Sequence, residues 1–264
     1  MTNQTGANMT YDEAPTGEVA ASNTPDGSPK KPQNSRARGI KLFLRDILII
    51  LVAALVISFL IKTFLIRSFY IPSQSMENTL LPNDRVIVSL LTPGLSPLQR
   101  GDVVVFTDPG GWLSDEPVAA PAGNSVINDI LAFIGLAAPD DNNHLVKRVI
   151  GLPGDKVACC TPQGQLTVNG VPLDERYAVL PGGTKQAAPN TFSITVPKGD
   201  IWVMGDNRYM SADSAYHYQK KDDSPYVPIS DVTGRAFVIS WPISRWTWLS
   251  NYPLTFAGTD PKDH

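Results

Sequence analysis

Hydrophobic residues are spread very unevenly along the chain. The first 38 residues are polar, built mainly of Thr, Asn, Gly, Pro, Ser and Ala. Residues 47–61, ILIILVAALVISFLI, form an uncharged apolar run of 15 residues, and beyond Lys62 the run resumes at Phe64, Leu65 and Ile66. With Lys62 reaching to the interface, about 20 residues at ~1.5 Å rise each cross a hydrocarbon core of ~30 Å. No Pro or Gly breaks the run. The pattern predicts a transmembrane helix over residues 40–67. A buried core helix is the alternative. A cleaved signal peptide is disfavoured by the long polar lead and by Lys62 and Arg67, which stand where a small-residue cleavage site would lie.

Past the span the periodicity changes. Short apolar, β-branched runs recur at 85–88, 102–106, 145–150, 156–158, 165–168, 192–196, 201–204 and 236–240, bounded by Gly, Pro, Asn and Asp. None keeps a 3.6-residue period, so they predict short antiparallel strands. The fold class expected is mainly β: one N-terminal transmembrane helix followed by an all-β domain over 68–250, with a smaller β subdomain at about 156–199. Val168-Asn169-Gly170-Val171 predicts a hairpin, because Asn-Gly suits the positive φ angles of a type I′ turn. Residues 108–143 and 175–190, rich in Pro, Gly and Ala, predict loop insertions. Residues 1–39 read as a disordered tail and 251–264 as a C-terminal tail.

Composition narrows the picture. At 42% hydrophobic and 18% charged, the 264 residues can bury a core, which excludes a wholly disordered chain. The 23 Pro and 20 Gly argue against a helix bundle. Net charge is −3, so bulk charge attracts no nucleic acid. The only cysteines, Cys159 and Cys160, exclude a disulfide framework and a four-Cys zinc site. Charge is also unevenly placed. Residues 1–29 carry Asp12, Glu13, Glu18 and Asp26 but no Lys or Arg, whereas 30–45 carry Lys30, Lys31, Arg36, Arg38, Lys41 and Arg45. Only Lys62 and Arg67 stand close after the apolar run. The positive-inside rule then places the N-terminus in the cytoplasm and residues 68–264 outside, anchored once in the cytoplasmic membrane.

Three segments could carry chemistry. Ile71-Pro72-Ser73-Gln74-Ser75-Met76 leads off the span with two serines two positions apart, on one side of an extended chain. Read alone, it is also an ordinary polar linker. A serine needs a base to become a nucleophile. His144, His217 and His264 sit in loop-like or terminal contexts, and no G-x-S-x-G elbow is present. Lys147 lies in the strand pattern His144-Leu145-Val146-Lys147-Arg148-Val149-Ile150. Alone it reads as an edge lysine facing water; desolvated among apolar neighbours, where the charged form is disfavoured, a lysine amine can accept a proton. Met204-Gly205-Asp206-Asn207-Arg208, continuing to Ser211, Asp213 and Ser214, is a tight-turn signature that supplies a hydroxyl and carboxylates.

Taken together, in this order behind a span, these segments resemble the type I signal peptidases of bacterial membranes. The resemblance runs from about Phe69 to Trp241 and includes Arg100-Gly101-Asp102-Val103-Val104-Val105-Phe106 and Lys147-Arg148-Val149-Ile150-Gly151-Leu152-Pro153-Gly154-Asp155. It implies a membrane-anchored serine endopeptidase that removes signal peptides from exported preproteins with a Ser/Lys dyad. Ser75 would be the nucleophile and Lys147 the general base. Ser73 and the Ser75 N–H would form the oxyanion hole, and Ser211 would orient the lysine. Arg148, Asp206, Arg208 and Asp213 match a supporting polar shell. Phe69, Ile71, Met76, Leu80, Leu145 and Val146 match the lining of two shallow pockets for small residues, the Ala-x-Ala preference. The implied partners are preproteins with signal peptides and the lipid bilayer, with no nucleic acid, no metal and no cofactor, and the protein is expected to be a monomer. Departures from the family pattern fall at Asn78, at Tyr209-Met210 and at Ala215, which replaces an arginine common in enterobacterial members. The competing functions are a Ser-Lys self-cleaving regulator and a non-catalytic, membrane-tethered β binding module.

Overall fold

A computed structural model describes residues 35–114, 143–221 and 224–260. The tail expected over 1–39 falls outside them up to residue 34, as does the 108–143 insertion from 115 to 142. Helix α1 spans Ser35–Phe64. Within it, the stretch Gly39–Ile61 is long and apolar enough to cross a membrane, and its apolar side chains are not buried in protein. A helix that exposes Leu, Ile, Val and Phe on all sides is stable only with apolar material around it. Contacts divide the chain within this helix, into the units Met1–Leu51 and Val52–His264. All the described strands lie in the second unit.

The helix ends three residues before the expected boundary at 67. Strand β1 (Ile66–Tyr70) begins almost at once and pairs antiparallel with β2 (Arg85–Ser89), from Ile66 opposite Ser89 to Tyr70 opposite Arg85. The long hairpin loop between them, 71–84, holds both candidate serines. It is tied off at its base: the Ile71 N–H donates to Asp84 O at 3.0 Å and the Asn83 N–H to Ile71 O at 2.9 Å. Arg245 donates from Nε to Asp84 Oδ1 at 2.9 Å and pins the loop from outside.

The main sheet contains β3 (Val103–Thr107), β4 (His144–Gly151), β9 (Asp200–Met204), β10 (Val227–Pro228), β11 (Val232–Trp241) and β12 (Thr247–Trp248) as well. Its order is β1-β2-β11-β3-β4-β9-β10, with β12 on β11, and every pairing is antiparallel. Strand β4 therefore lies between two partners. Val146 packs into one apolar cluster, with Phe69, Ile71, Met76, Leu80, Val86, Val88 and Val105. Leu145 and Val149 pack into another, with Val104, Phe106, Trp112, Ile201 and Val203. A strand covered on both faces has no solvent side, so Lys147 and Arg148 are buried with it.

A second sheet has the order β7-β6-β5-β8, from β5 (Lys156–Cys159), β6 (Leu166–Val168), β7 (Val171–Pro172) and β8 (Phe192–Thr195). The β6–β7 turn has φ 52° at Asn169 and 83° at Gly170, the positive pair that a type I′ turn requires. Asn169 is also a junction, because its Nδ2 donates to Asp155 Oδ1 at 2.9 Å and to Thr259 O at 2.7 Å. Cys159 and Cys160, at the end of β5, are joined by a disulfide. This sheet closes on Trp202 of β9 through Val157, Leu166, Val168, Phe192 and Ile194.

Two segments differ from their sequence reading. Residues 251–260, within the expected C-terminal tail, pack onto the domain: Phe256 and Thr259 are buried, and Arg100 Nη1 donates to Asp260 Oδ1 at 2.6 Å. A short helix, α2 (Ser214–Lys220), begins after Asp213, whose carboxylate caps it by accepting from the Ala215 N–H at 3.0 Å. At seven residues it is too short to show a period of its own.

Trp202 is fully buried, with its ring 4.9 Å from Phe192 and 5.8 Å from Tyr226, centroid to centroid. Trp202→Ala is expected to cost about 3–5 kcal/mol of stability, read by denaturant unfolding. A loss under ~1 kcal/mol would show that the two sheets do not depend on this contact.

Candidate active site

The strand pairing builds the site. Register on β3 sets Lys147 opposite Val104 and Arg148 opposite Val103, deep in the sheet. The hairpin loop after β1 then brings Ser75 over β4. Lys147 Nζ donates to Ser75 Oγ at 2.8 Å, across 72 residues of sequence. Both side chains are nearly closed off from solvent, Ser75 at 2% and Lys147 at 1% exposure. Ser73 Oγ lies 3.2 Å from Ser75 Oγ. Three of the residues singled out in the sequence are thus brought together at hydrogen-bonding distance. An amine held against a hydroxyl in a nearly dry site can accept its proton and leave an alkoxide as nucleophile.

The turn after β9 forms the floor. The Asn207 N–H donates to Ser75 O at 3.0 Å and fixes the backbone of that serine. The Gly205 N–H donates to Asp213 Oδ2 at 2.9 Å. A Cβ built on Gly205 would overlap both Ser211 Oγ and the Ser75 carbonyl, so this position admits no side chain. Ser211 Oγ is buried beside Asp213 but makes no hydrogen bond of ordinary geometry. Burial pushes the Asp213 carboxyl up from its usual range, and the Gly205 N–H, the charge of Lys147 and Ser211 offset part of that rise. At Ala215 there is no arginine to balance this carboxylate, so its neighbouring charges are those of Lys147 and Arg208.

Behind the serine and lysine lie two buried ion pairs. Arg148 donates to Asp206 through two parallel bonds, Nε to Oδ1 at 2.8 Å and Nη2 to Oδ2 at 2.6 Å. Its Nη1 reaches Gly101 O at 2.7 Å and Ser250 O at 3.1 Å. The centre of the Tyr177 ring lies 4.1 Å from the Arg148 guanidinium carbon. Arg208 likewise donates to Glu175 twice, at 2.7 and 2.8 Å. All four supporting residues named from the sequence are buried around the serine and lysine.

The apolar residues divide. Phe69, Ile71, Met76 and Leu80 are buried in one cluster, with Val146 packed against it, whereas Leu145 faces the opposite side of β4. Alternation along a strand sends neighbours to opposite faces, so Leu145 and Val146 cannot line one pocket with both side chains.

The sequence reading passed over Thr79, Glu175 and Tyr177. Thr79 Oγ1 donates to Asp206 and accepts from Arg148 Nη2 at 3.3 Å. Tyr177 donates to Glu175 Oε1 at 2.8 Å; burial, followed by the Glu175 charge, pushes its own hydroxyl pKa well up and keeps it a donor. The available signal was Asp-Glu-Arg-Tyr at 174–177, a charged and aromatic group inside a stretch otherwise rich in Pro and Gly. Among the described residues, no three His, Cys, Asp or Glu side chains are grouped to hold a metal ion.

A family profile described as "Signal peptidase, peptidase S26" matches residues 44–241 of the chain. The probable signal peptidase I of Mycobacterium leprae is 41% identical over 201 residues, 67% of this chain and 68% of that protein. Signal peptidase I of Mycobacterium tuberculosis is 37% identical over 260 residues, 91% of this chain and 87% of that one. The probable signal peptidase I-2 of Synechocystis is 35% identical over 195 residues, covering 74% and 72%.

The Arg148–Asp206 pair is fully buried, and removing one partner would leave an uncompensated charge in the core. Asp206→Ala is expected to destabilise the protein by about 3–5 kcal/mol in denaturant unfolding. An unchanged midpoint would show that the pair does not bear on folding.

Proposed function

The chain belongs to the peptidase S26 family of signal peptidases, and we propose that it cuts N-terminal signal peptides from exported preproteins with Ser75 as nucleophile and Lys147 as general base. It is a serine endopeptidase, as its family membership requires. The observation that carries the proposed dyad is the 2.8 Å contact from Lys147 Nζ to Ser75 Oγ in a nearly solvent-free site.

In the proposed reaction Lys147, in its neutral form, takes the Ser75 proton as Oγ attacks the carbonyl carbon before the cut. The oxyanion is held by the Ser73 hydroxyl and the Ser75 N–H; one such donor is typically worth ~2.7–4 kcal/mol in the transition state. The Lys147 ammonium then gives its proton to the leaving amine as the peptide bond breaks. Water, deprotonated by the same lysine, hydrolyses the acyl-enzyme and frees Ser75. Ser211 is assigned to the orientation of Lys147 through the Asp213 side of the site. The buried apolar groups Phe69, Ile71, Met76, Leu80 and Val146, close to the reacting serine, favour small, uncharged residues in the substrate. Leu145 packs in the other apolar cluster, on the face of β4 that alternation also gives to Lys147.

Anchoring is assigned to the apolar helix at Gly39–Ile61 and orientation to the basic residues before it, which put the site on the extracytoplasmic side. A substrate tethered in the same bilayer is thereby confined with the enzyme, which raises its effective concentration.

Ser75→Ala and Lys147→Ala are each expected to abolish preprotein cleavage while the thermal transition stays near that of the parent. Gly205→Ala is expected to lower cleavage by more than about tenfold through displacement of Ser75 and Ser211. Incubation of each purified variant with a preprotein and gel analysis of the mature product provides the test. Normal processing by either the Ser75 or the Lys147 variant ends the dyad assignment.

A further inference from the structure

Glu175 lies in residues 175–190, a stretch with the composition of a surface loop, yet its side chain is 5% exposed and ends against Arg208, which is fully enclosed. The two bonds from Arg208 Nη1 to Glu175 Oε2 and from Nη2 to Oε1, at 2.8 and 2.7 Å, form a planar fork. Two more Arg208 donors go to backbone: Nε to Gly205 O at 3.0 Å and Nη1 to Ala187 O at 3.1 Å. Arg208 thus grips the carbonyl of the glycine whose position in the site admits no side chain.

The same loop holds the turn a second time. Val179 donates from its N–H to Asp206 O at 2.7 Å and accepts from the Arg208 N–H at 3.3 Å, forming an isolated parallel bridge opposite Asn207. The segment from Gly205 to Arg208 belongs to no strand, so it lacks the ladder bonds that would otherwise fix its path. On one side it is held by this loop, and the Asp206 side chain within it is held by Arg148 and Thr79. On the other side it delivers two bonds to the site: the Asn207 N–H to Ser75 O, and the Gly205 N–H to the carboxylate of Asp213.

We propose that Glu175 is a positioning residue, which clamps Arg208 and so fixes the Gly205–Asn207 backbone that orients Ser75 and Asp213. The inference rests on the Ser75/Lys147 reading above and deepens it. Glu175 touches neither substrate nor the reacting atoms, and its effect travels through Arg208 and the turn. Loss of the clamp lets the turn shift, and the Ser75 backbone, whose N–H is assigned to the oxyanion, shifts with it. Small misplacements of such donors reduce the rate without altering how remote parts of the substrate bind. The signature is therefore a fall in kcat at nearly constant KM.

The test uses the full-length enzyme in detergent and a fluorogenic peptide carrying an Ala-x-Ala cleavage site. Glu175→Gln, which keeps the shape but removes the charge, is expected to lower kcat about tenfold, equivalent to the loss of one charge-assisted hydrogen bond, with KM within about twofold. The double variant Glu175→Leu/Arg208→Met removes both buried charges and is expected to recover the thermal midpoint lost in Glu175→Leu alone, because apolar replacement of a buried pair is often neutral. Its kcat is expected to stay low, since Gly205 O no longer has its donor. Recovery of both midpoint and kcat in the double variant would show a purely structural role and overturn the proposal. So would an unchanged kcat in Glu175→Gln, or a loss confined to KM. Ser75→Ala run alongside separates the two claims. Cleavage that persists without Ser75 ends the dyad reading and this proposal with it, whereas a dead Ser75→Ala beside a fully active Glu175→Gln ends this proposal alone.

Discussion

Strand β4 carries two consecutive cations, Lys147 and Arg148, through the middle of a sheet that is covered on both faces. Burying a charge is costly unless it is paired or neutralised, and the two cations meet that constraint differently. Arg148 cannot lose its proton, and it takes a bidentate carboxylate, two carbonyls and the face of Tyr177. Lys147 projects from the opposite side of the same strand and meets a serine hydroxyl at 2.8 Å. Alternation along one strand thus separates a cation held in an ion pair from an amine held against a serine hydroxyl. The polar parts of the site satisfy these two groups: Asp206 and Thr79 on one side, Ser75 on the other, with Asp213 adding its field to that of the amine.

This arrangement makes the site inseparable from the core. Ser75 comes from the β1–β2 hairpin loop, Lys147 from the central strand, and Gly205, Asp206 and Asn207 from the turn after β9. Each is fixed by pairings with different sequence neighbours. Arg148 bonds Gly101 before β3 and Ser250 near the C-terminus. Arg100 pairs with Asp155 at 2.7 Å on one side and Asp260 on the other. The proposed chemistry needs no large movement of these parts. It needs donors and base preorganised in a place from which water is mostly excluded, which a strand buried on both faces provides.

The fold was legible where local chemistry and burial agree. The β-branched runs at 103–106, 145–150 and 201–204 became central strands because burial on both faces favours apolar side chains at every position but Lys147 and Arg148, which are paired. The Asn169-Gly170 turn was legible because few residues tolerate positive φ. Strand β1 was hidden because Leu65 and Ile66 continue the apolar run of the helix without a polar break, so hydropathy could not mark the change from an exposed apolar helix to a paired strand. The two-residue strands β7, β10 and β12 and the seven-residue α2 hold too few side chains for any period to register.

The linear order of residues by itself determined the apolar helix, the β character of the domain beyond it, and the chemical groups on offer: two serines near the span, a lysine inside an apolar strand, a polar turn. Those depend on composition and periodicity over a few neighbours, which are properties of the string. Tertiary structure alone decided that Ser75 and Lys147 meet, that Leu145 and Val146 pack into different apolar clusters, and that Glu175 closes on Arg208. Each of those outcomes depends on strand register and on which distant segments share a buried space. No local pattern encodes them, because the energy that selects them comes from packing and polar pairing between distant residues, 72 positions apart for Ser75 and Lys147 and 33 for Glu175 and Arg208.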